Sequence, residues 1–205
     1  MVKLMTVADL IEIARGAGII LEPAETRAEE KLYVYATKVG GNNVYIGKSA
    51  GPSRSATELR VEAQGYKERV GVGFSALIRE NDAVRHPFAY DPDSFDPEKL
   101  RRHIERFSWS GPAIDTLLER LEQRPVFSVE EVEHILVRIH VCTGRLIGNS
   151  QYASQWEGGV NDTPNVVAVL AADIAREAHG GHLSLQTALD PQEGAAKGDD
   201  DEAVA

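Results

Sequence analysis

The sequence predicts a mixed α/β protein of the α+β kind: a small three-stranded antiparallel sheet flanked by helices, with further helices added. Three observations lead there. Residues 31–49, KLYVYATKVGGNNVYIGKS, set two β-branched and aromatic runs, Leu32 to Ala36 and Val44 to Ile46, on either side of a Gly-Gly-Asn-Asn turn that supplies positive φ at little cost, which is the pattern of a hairpin. The apolar run in GVGFSALIRE offers a third strand. Helix signals dominate the rest, and 205 residues with 42% hydrophobic content suffice for one core with appendages.

In chain order, Thr6 to Arg15 predicts a short helix, because Val7, Leu10, Ile11 and Ala14 share one face and Gly16 and Gly18 stop it. EPAETRAEE follows as a polar linker, and then the hairpin. Ser55-Ala-Thr-Glu58 matches a capping box, with Ala56, Leu59, Ala63 and Tyr66 at helical spacing, so a helix is expected to about Val70. After the GVGFSALIRE strand, Asn81 to Asp96 is rich in Asp and Pro and reads as loop. Pro97 to Phe107 and Pro112 to Gln123 each place proline in the first turn of a helix. Ser128-Val-Glu-Glu131 is a second capping box, opening a helix that runs to Gly144. Thr163 to His179 is the last, with Val166, Val169, Leu170, Ile174 and Ala178 facing inward. No internal repeat is visible.

Charge and composition narrow the classes. Net charge is −10, which opposes nucleic-acid binding, but six acids and one lysine lie from Asp190 onward, leaving −5 for the preceding 189 residues. That tail has almost nothing to bury and is expected to be disordered. Local basic residues can still hold phosphates. Cys142 is the single cysteine, which excludes an intramolecular disulfide and a cysteine-rich zinc module and agrees with a reducing compartment. No apolar run approaches a membrane span, and the N-terminus carries acids within its apolar pattern, unlike a secretion signal. The expected location is cytoplasmic, without a membrane partner.

Several short motifs fail on physical grounds. Gly47-Lys48-Ser49 has the ending of a phosphate-binding loop, but Asn42 stands where the first glycine belongs, and Val44-Tyr45-Ile46 would fill the cradle with stiff strand. His134 and His140 lie on different faces of their helix and do not share a metal. His179 and His182 flank two glycines at a helix end, where nothing fixes their rings. Neither Cys142 nor any serine has the surroundings of a nucleophile.

The tyrosines carry a stronger signal. Leu32-Tyr33, eleven residues, then Tyr45-Ile46-Gly47, with Arg54 and a helix after them and EVEHILVRIH and Asn149 much later, resembles the GIY-YIG nuclease superfamily. The resemblance covers about Lys31 to Trp156. It implies a nuclease domain over 31–157 with a helical insertion at about 81–127, preceded by a helix and linker (1–30) and followed by a C-terminal helix (158–189) and an acidic tail (190–205). YIG is intact, whereas Lys31 stands where the first triplet has glycine. The implied function is a metal-dependent DNA endonuclease. Tyr33 or Tyr45 would relay a proton from water, and Arg54, with Arg60 as the alternative register, would pair with the phosphate. Gly47, Lys48 and Asn149 would line the substrate, and a glutamate would hold Mg²⁺ or Mn²⁺.

Helix geometry selects that glutamate. Val129, Val132, Leu136 and Ile139 define the buried stripe, Glu130 points away, and Glu133 lies at the stripe's edge beside His140. Glu133 also fits the superfamily's glutamate two residues before paired aliphatics, here Ile135 and Leu136. Two other expectations stand beside the nuclease: a catalytically inactive module of the same fold that engages a protein or nucleic-acid partner, and an unrelated α/β protein with a tyrosine-rich hairpin.

Overall fold

A computed structural model describes residues 5–24, 32–40, 42–49, 59–60, 72–143, 148–149 and 162–178. Among them are six α-helices: α1 (Val7–Gly16), α2 (Val72–Glu80), α3 (Pro97–Arg106), α4 (Pro112–Arg120), α5 (Val129–Cys142) and α6 (Thr163–Ala178). The strands are β1 (Leu21–Pro23), β2 (Leu32–Val39), β3 (Asn42–Ser49), β4 (Leu59–Arg60) and β5 (Val84–Tyr90). They form one antiparallel sheet in the order β1-β5-β2-β3, with β4 also on β5. β1 faces residues 88–90 of β5 and β4 faces residues 84–85, so the two lie end to end along its outer edge.

The α+β class is as expected, and so is the hairpin, which closes with Val39 paired to Asn42. The third strand is not where the sequence put it. GVGFSALIRE is helix α2, because Ser75 and Ile78, three apart, are its buried residues; the period is helical, and Ala, Leu, Arg and Glu favour that state. The strand lies instead in the expected loop, as β5. Pro87 had argued against one, since proline donates nothing to a ladder. Its missing N–H, however, faces away from β2. Ile46 turns its N–H and C=O to the outer edge of β3, so Gly47 and its partner Tyr35 turn theirs toward each other, and Pro87, opposite Tyr35, points the other way, where its carbonyl accepts from Ala24 N at 3.2 Å. Leu59 and Arg60 are strand where a helix was expected, and Glu22 and Pro23, expected to open the polar linker, pair with β5 as part of β1; the rest of the expected helix, residues 25–30 of the linker and the acidic tail lie outside the described residues.

One face of the sheet builds the core. Val34, Ala36, Ile46, Phe88 and Tyr90 meet Val132, Ile135, Leu136 and Ile139 of α5, and α6 packs behind α5 against α1, α3 and α4. Every residue of α6 from Val166 to Ala172 is 1% exposed or less, so this helix is apolar all round and is wrapped by its neighbours. The inward stripe expected for it is thus too narrow at one end and too long at the other, where Ala178 is exposed. Helix α5 starts at the expected capping box, Ser128 Oγ accepting from Glu131 N while Glu131 accepts from Ser128 N. The N-terminus is tied to the hairpin, where Asn43 N donates to Met5 O at 2.8 Å.

Candidate functional site

The second face of the sheet carries Tyr35 and Tyr45. Tyr35 pairs with Gly47 and Thr37 with Tyr45, ahead of a bulge between Thr37 and Lys38. With period-two alternation, Tyr35 and Tyr45 therefore stand on one face while Val34, Ala36 and Ile46 enter the core. The Tyr35 ring lies directly on Gly47: a Cβ there would sit 2.4 Å from its ring and hydroxyl, so any side chain at this position would have to displace the ring. Tyr35 stacks with Tyr45 at 6.3 Å, Tyr45 meets Phe74 of α2 at 6.2 Å, and Gly148 is held bare by the Phe74 ring. The guanidinium of Arg85, on β5, covers the Tyr35 ring at 4.4 Å from its centroid.

The outer edge of β3 is covered by polar groups. Gly148 N donates to Val44 O at 2.5 Å, and the Asn149 amide takes both backbone groups of Ile46, Oδ1 accepting from its N–H at 2.9 Å and Nδ2 donating to its carbonyl. One step on, Lys48 N donates to Glu133 Oε1 at 3.2 Å. Glu133 is only 6% exposed, and burial pushes its carboxyl up from the usual range against the opposing pull of Lys48. Lys48 Nζ pairs with Glu130 at 2.8 Å and holds that carboxyl down. His140, fully buried, donates from Nδ1 to Leu136 O, which can only accept, and its Nε2 meets the Asn43 amide at 2.9 Å, so both ring nitrogens serve the packing of α5 on β3. Burial lowers the His134 ring's affinity for a proton, and Arg138 adds to the effect.

Two sides of one strand thus bring the candidate groups together. The Tyr35 hydroxyl sits over Gly47 and the Glu133 carboxylate over Lys48, the next residue. Through those contacts and standard backbone lengths the two groups lie no more than about 10 Å apart.

Several expected site residues fall elsewhere. The Tyr33 backbone is paired with Ser49, one strand period from Tyr35, and its side chain lies outside the described residues, whereas the Tyr35 ring lies on Gly47. Arg54 lies outside the described residues. Arg60 is in β4, not on a helix, and is separated from β3 by β5 and β2, about 14 Å across the sheet. Among the described residues Arg85 is the arginine at the tyrosines, and sequence reasoning passed over it by assigning its segment to a loop. Tyr35 was legible, since Tyr33 and Tyr35 differ by one strand period. Asn149 has both amide atoms on Ile46, which makes it a clamp on the strand edge.

Among the described residues no three His, Cys, Asp or Glu side chains converge on a metal position. Glu133 fits a divalent cation as a single carboxylate: Oε1 is engaged by Lys48 N, and Oε2 makes no hydrogen bond with the described residues. Mg²⁺ accepts such sparse ligation because it keeps most of its waters. Among the described residues no helix is long and apolar enough to cross a membrane. No family model matches the chain, and neither does any curated protein or solved structure.

Proposed function

We propose that the chain is a metal-dependent endonuclease that hydrolyses DNA phosphodiester bonds at a GIY-YIG-type site along β3. The observation that carries this reading is the flanking of Gly47-Lys48 by a phenol on one side and a buried carboxylate on the other. Hydrolysis needs water deprotonated and the growing charge on the phosphate neutralised. Tyr35, stacked on Tyr45, offers a hydroxyl from a rigid hairpin, and one of the two phenols would pass on the proton of an attacking water. Glu133 is held in place by Lys48 N with one oxygen left over. A divalent cation on that oxygen would supply Lewis-acid stabilisation of the phosphate oxygens and leaving group. Gly47 lets the Tyr35 ring approach the strand closely.

The element order of hairpin, helix α2, strand β5 and helix α5 supports the resemblance drawn from the sequence. A cytoplasmic setting accords with the lone Cys142, whose thiol burial pushes up to about 12, leaving it inert.

One observation favours the second reading, a catalytically inactive module engaging a protein or nucleic-acid partner: Asn149 and Glu133 both brace the β3 backbone, a use that needs no catalysis. Mg²⁺-dependent nicking of duplex, flap and branched DNAs decides between them. The nuclease reading expects cleavage of at least one, lost in Tyr45→Phe or Tyr35→Phe with the melting temperature preserved. Full activity in both variants would remove the proton relay, and no cleavage of any DNA would leave the binding module.

A further inference from the structure

We propose that Arg85 is a phosphate-binding residue of this site, contacting the nucleic-acid backbone beside Tyr35; the proposal rests on the endonuclease reading and names a group that reading did not contain.

The first support is how acids are distributed over the chain's cations. In a protein of net charge −10, carboxylates are plentiful, and Arg101, Arg106, Arg120, Arg138 and Arg176 each lie against one. Arg102 and Arg124 lie on backbone carbonyls instead. Arg85 has neither: among the described residues its contact is the Tyr35 ring, and its Nε is enclosed without a hydrogen-bond partner. With no carboxylate or carbonyl of the described residues on it, the charge of this guanidinium is left for an anion from outside, which the outer nitrogens of the fork would meet, since Nε is enclosed.

The second support is rigidity. Arg85 is paired through its backbone with Thr37 on one side and Leu59 on the other, so it stands on a strand hydrogen-bonded along both edges. Stacking on Tyr35 fixes the plane of the guanidinium and leaves the rim of its fork for a phosphate. The same ring sits on Gly47, so an anion bound by Arg85 lies against the tyrosine pair. Lysine would supply the charge at this position but not the flat stack.

The test is DNA binding across a salt series in EDTA, where cleavage is suppressed, using a labelled duplex and a labelled branched DNA. Arg85→Gln should weaken binding about tenfold and make the dependence of log affinity on log salt shallower by about one released ion. Arg85→Lys should keep the wild-type slope. Arg85→Met, whose stem still packs on Tyr35, is the second neutral variant should Arg85→Gln lower the melting temperature. A slope and affinity unchanged in both neutral variants, while the wild type binds and cleaves, would overturn the proposal alone. A wild type that neither binds nor cleaves DNA would overturn the endonuclease reading first, and the role of Arg85 with it.

Discussion

The two long margins of the core are built from different materials. Around the middle of α6, from Val166 to Ala172, the packing is apolar, and the buried polar residues of that helix, Thr163, Asn165 and Asp173, lie on either side of that stretch. Along β3 the buried polar side chains are Asn43, Glu133, His140 and Asn149, held by specific hydrogen bonds. Apolar packing tolerates substitution by volume, whereas a hydrogen-bonded edge depends on the identity of each atom. A protein selected only for stability would have less reason to bury a carboxylate at that edge. The candidate site lies along the hydrogen-bonded edge.

The largest effect should come from the carboxylate itself. Glu133→Gln keeps an oxygen for Lys48 N but removes the charge, so cleavage should fall on the order of 10²–10³-fold or more while DNA binding persists. The same variant should be more stable than the wild type at neutral pH. Because the folded carboxyl titrates above its unfolded value, the folded state binds more protons between the two, and stability declines as pH rises through that window. Melting curves from neutral pH down into the ordinary carboxylate range should show the two proteins converging. A variant less stable than the wild type at neutral pH would mean that the edge needs the charge for structure.

On the apolar side, Leu170→Ala should cost about 2–5 kcal/mol in chemical denaturation, since α6 is enclosed and its surroundings cannot close over the space. A smaller loss would show that helix to be loosely packed. Gly47→Ala should cost about 1–3 kcal/mol by driving a methyl into the Tyr35 ring, and Tyr35→Ala in the same chain should recover part of it, as a double-mutant cycle would report. Asn149→Ala should cost a similar amount, about 1–3 kcal/mol, by freeing two backbone groups of Ile46. The smallest effect belongs to Glu130→Gln. Its ion pair with Lys48 is exposed, so cleavage and melting temperature should both be near wild type. Loss of cleavage in that variant, with Glu133→Gln active, would move the metal ligand to Glu130.

What could be read from the sequence follows the range of the forces involved. The capping box at Ser128, the hairpin turn and the proline-led helices are local, and each was legible from adjacent residues. Glu133 was legible as the edge of a helical stripe, although that it meets Lys48 N, 85 residues away in sequence, was not. β5 was hidden because Pro87 looks like a strand breaker until β1 and β4 are known to leave a gap beside it, a fact set by pairing across the whole sheet. Arg85 was hidden with it. That Tyr35 in particular lies on Gly47 depends on register, which the bulge at Thr37 and Lys38 adjusts, although the strand period already put Tyr33 and Tyr35 on one face.

The enclosure of α6 also bears on how the chain is made. The helix that α1, α3, α4 and α5 all pack against is the last of the six described helices in the sequence. During synthesis the earlier helices must wait with their apolar faces uncovered until residues 163–178 leave the ribosome. Such an interval exposes the nascent chain to aggregation and to chaperone capture. A ribosome stalled before α6 would therefore hold a chain that is still sensitive to protease along its entire length, and one stalled well beyond it a chain that is resistant.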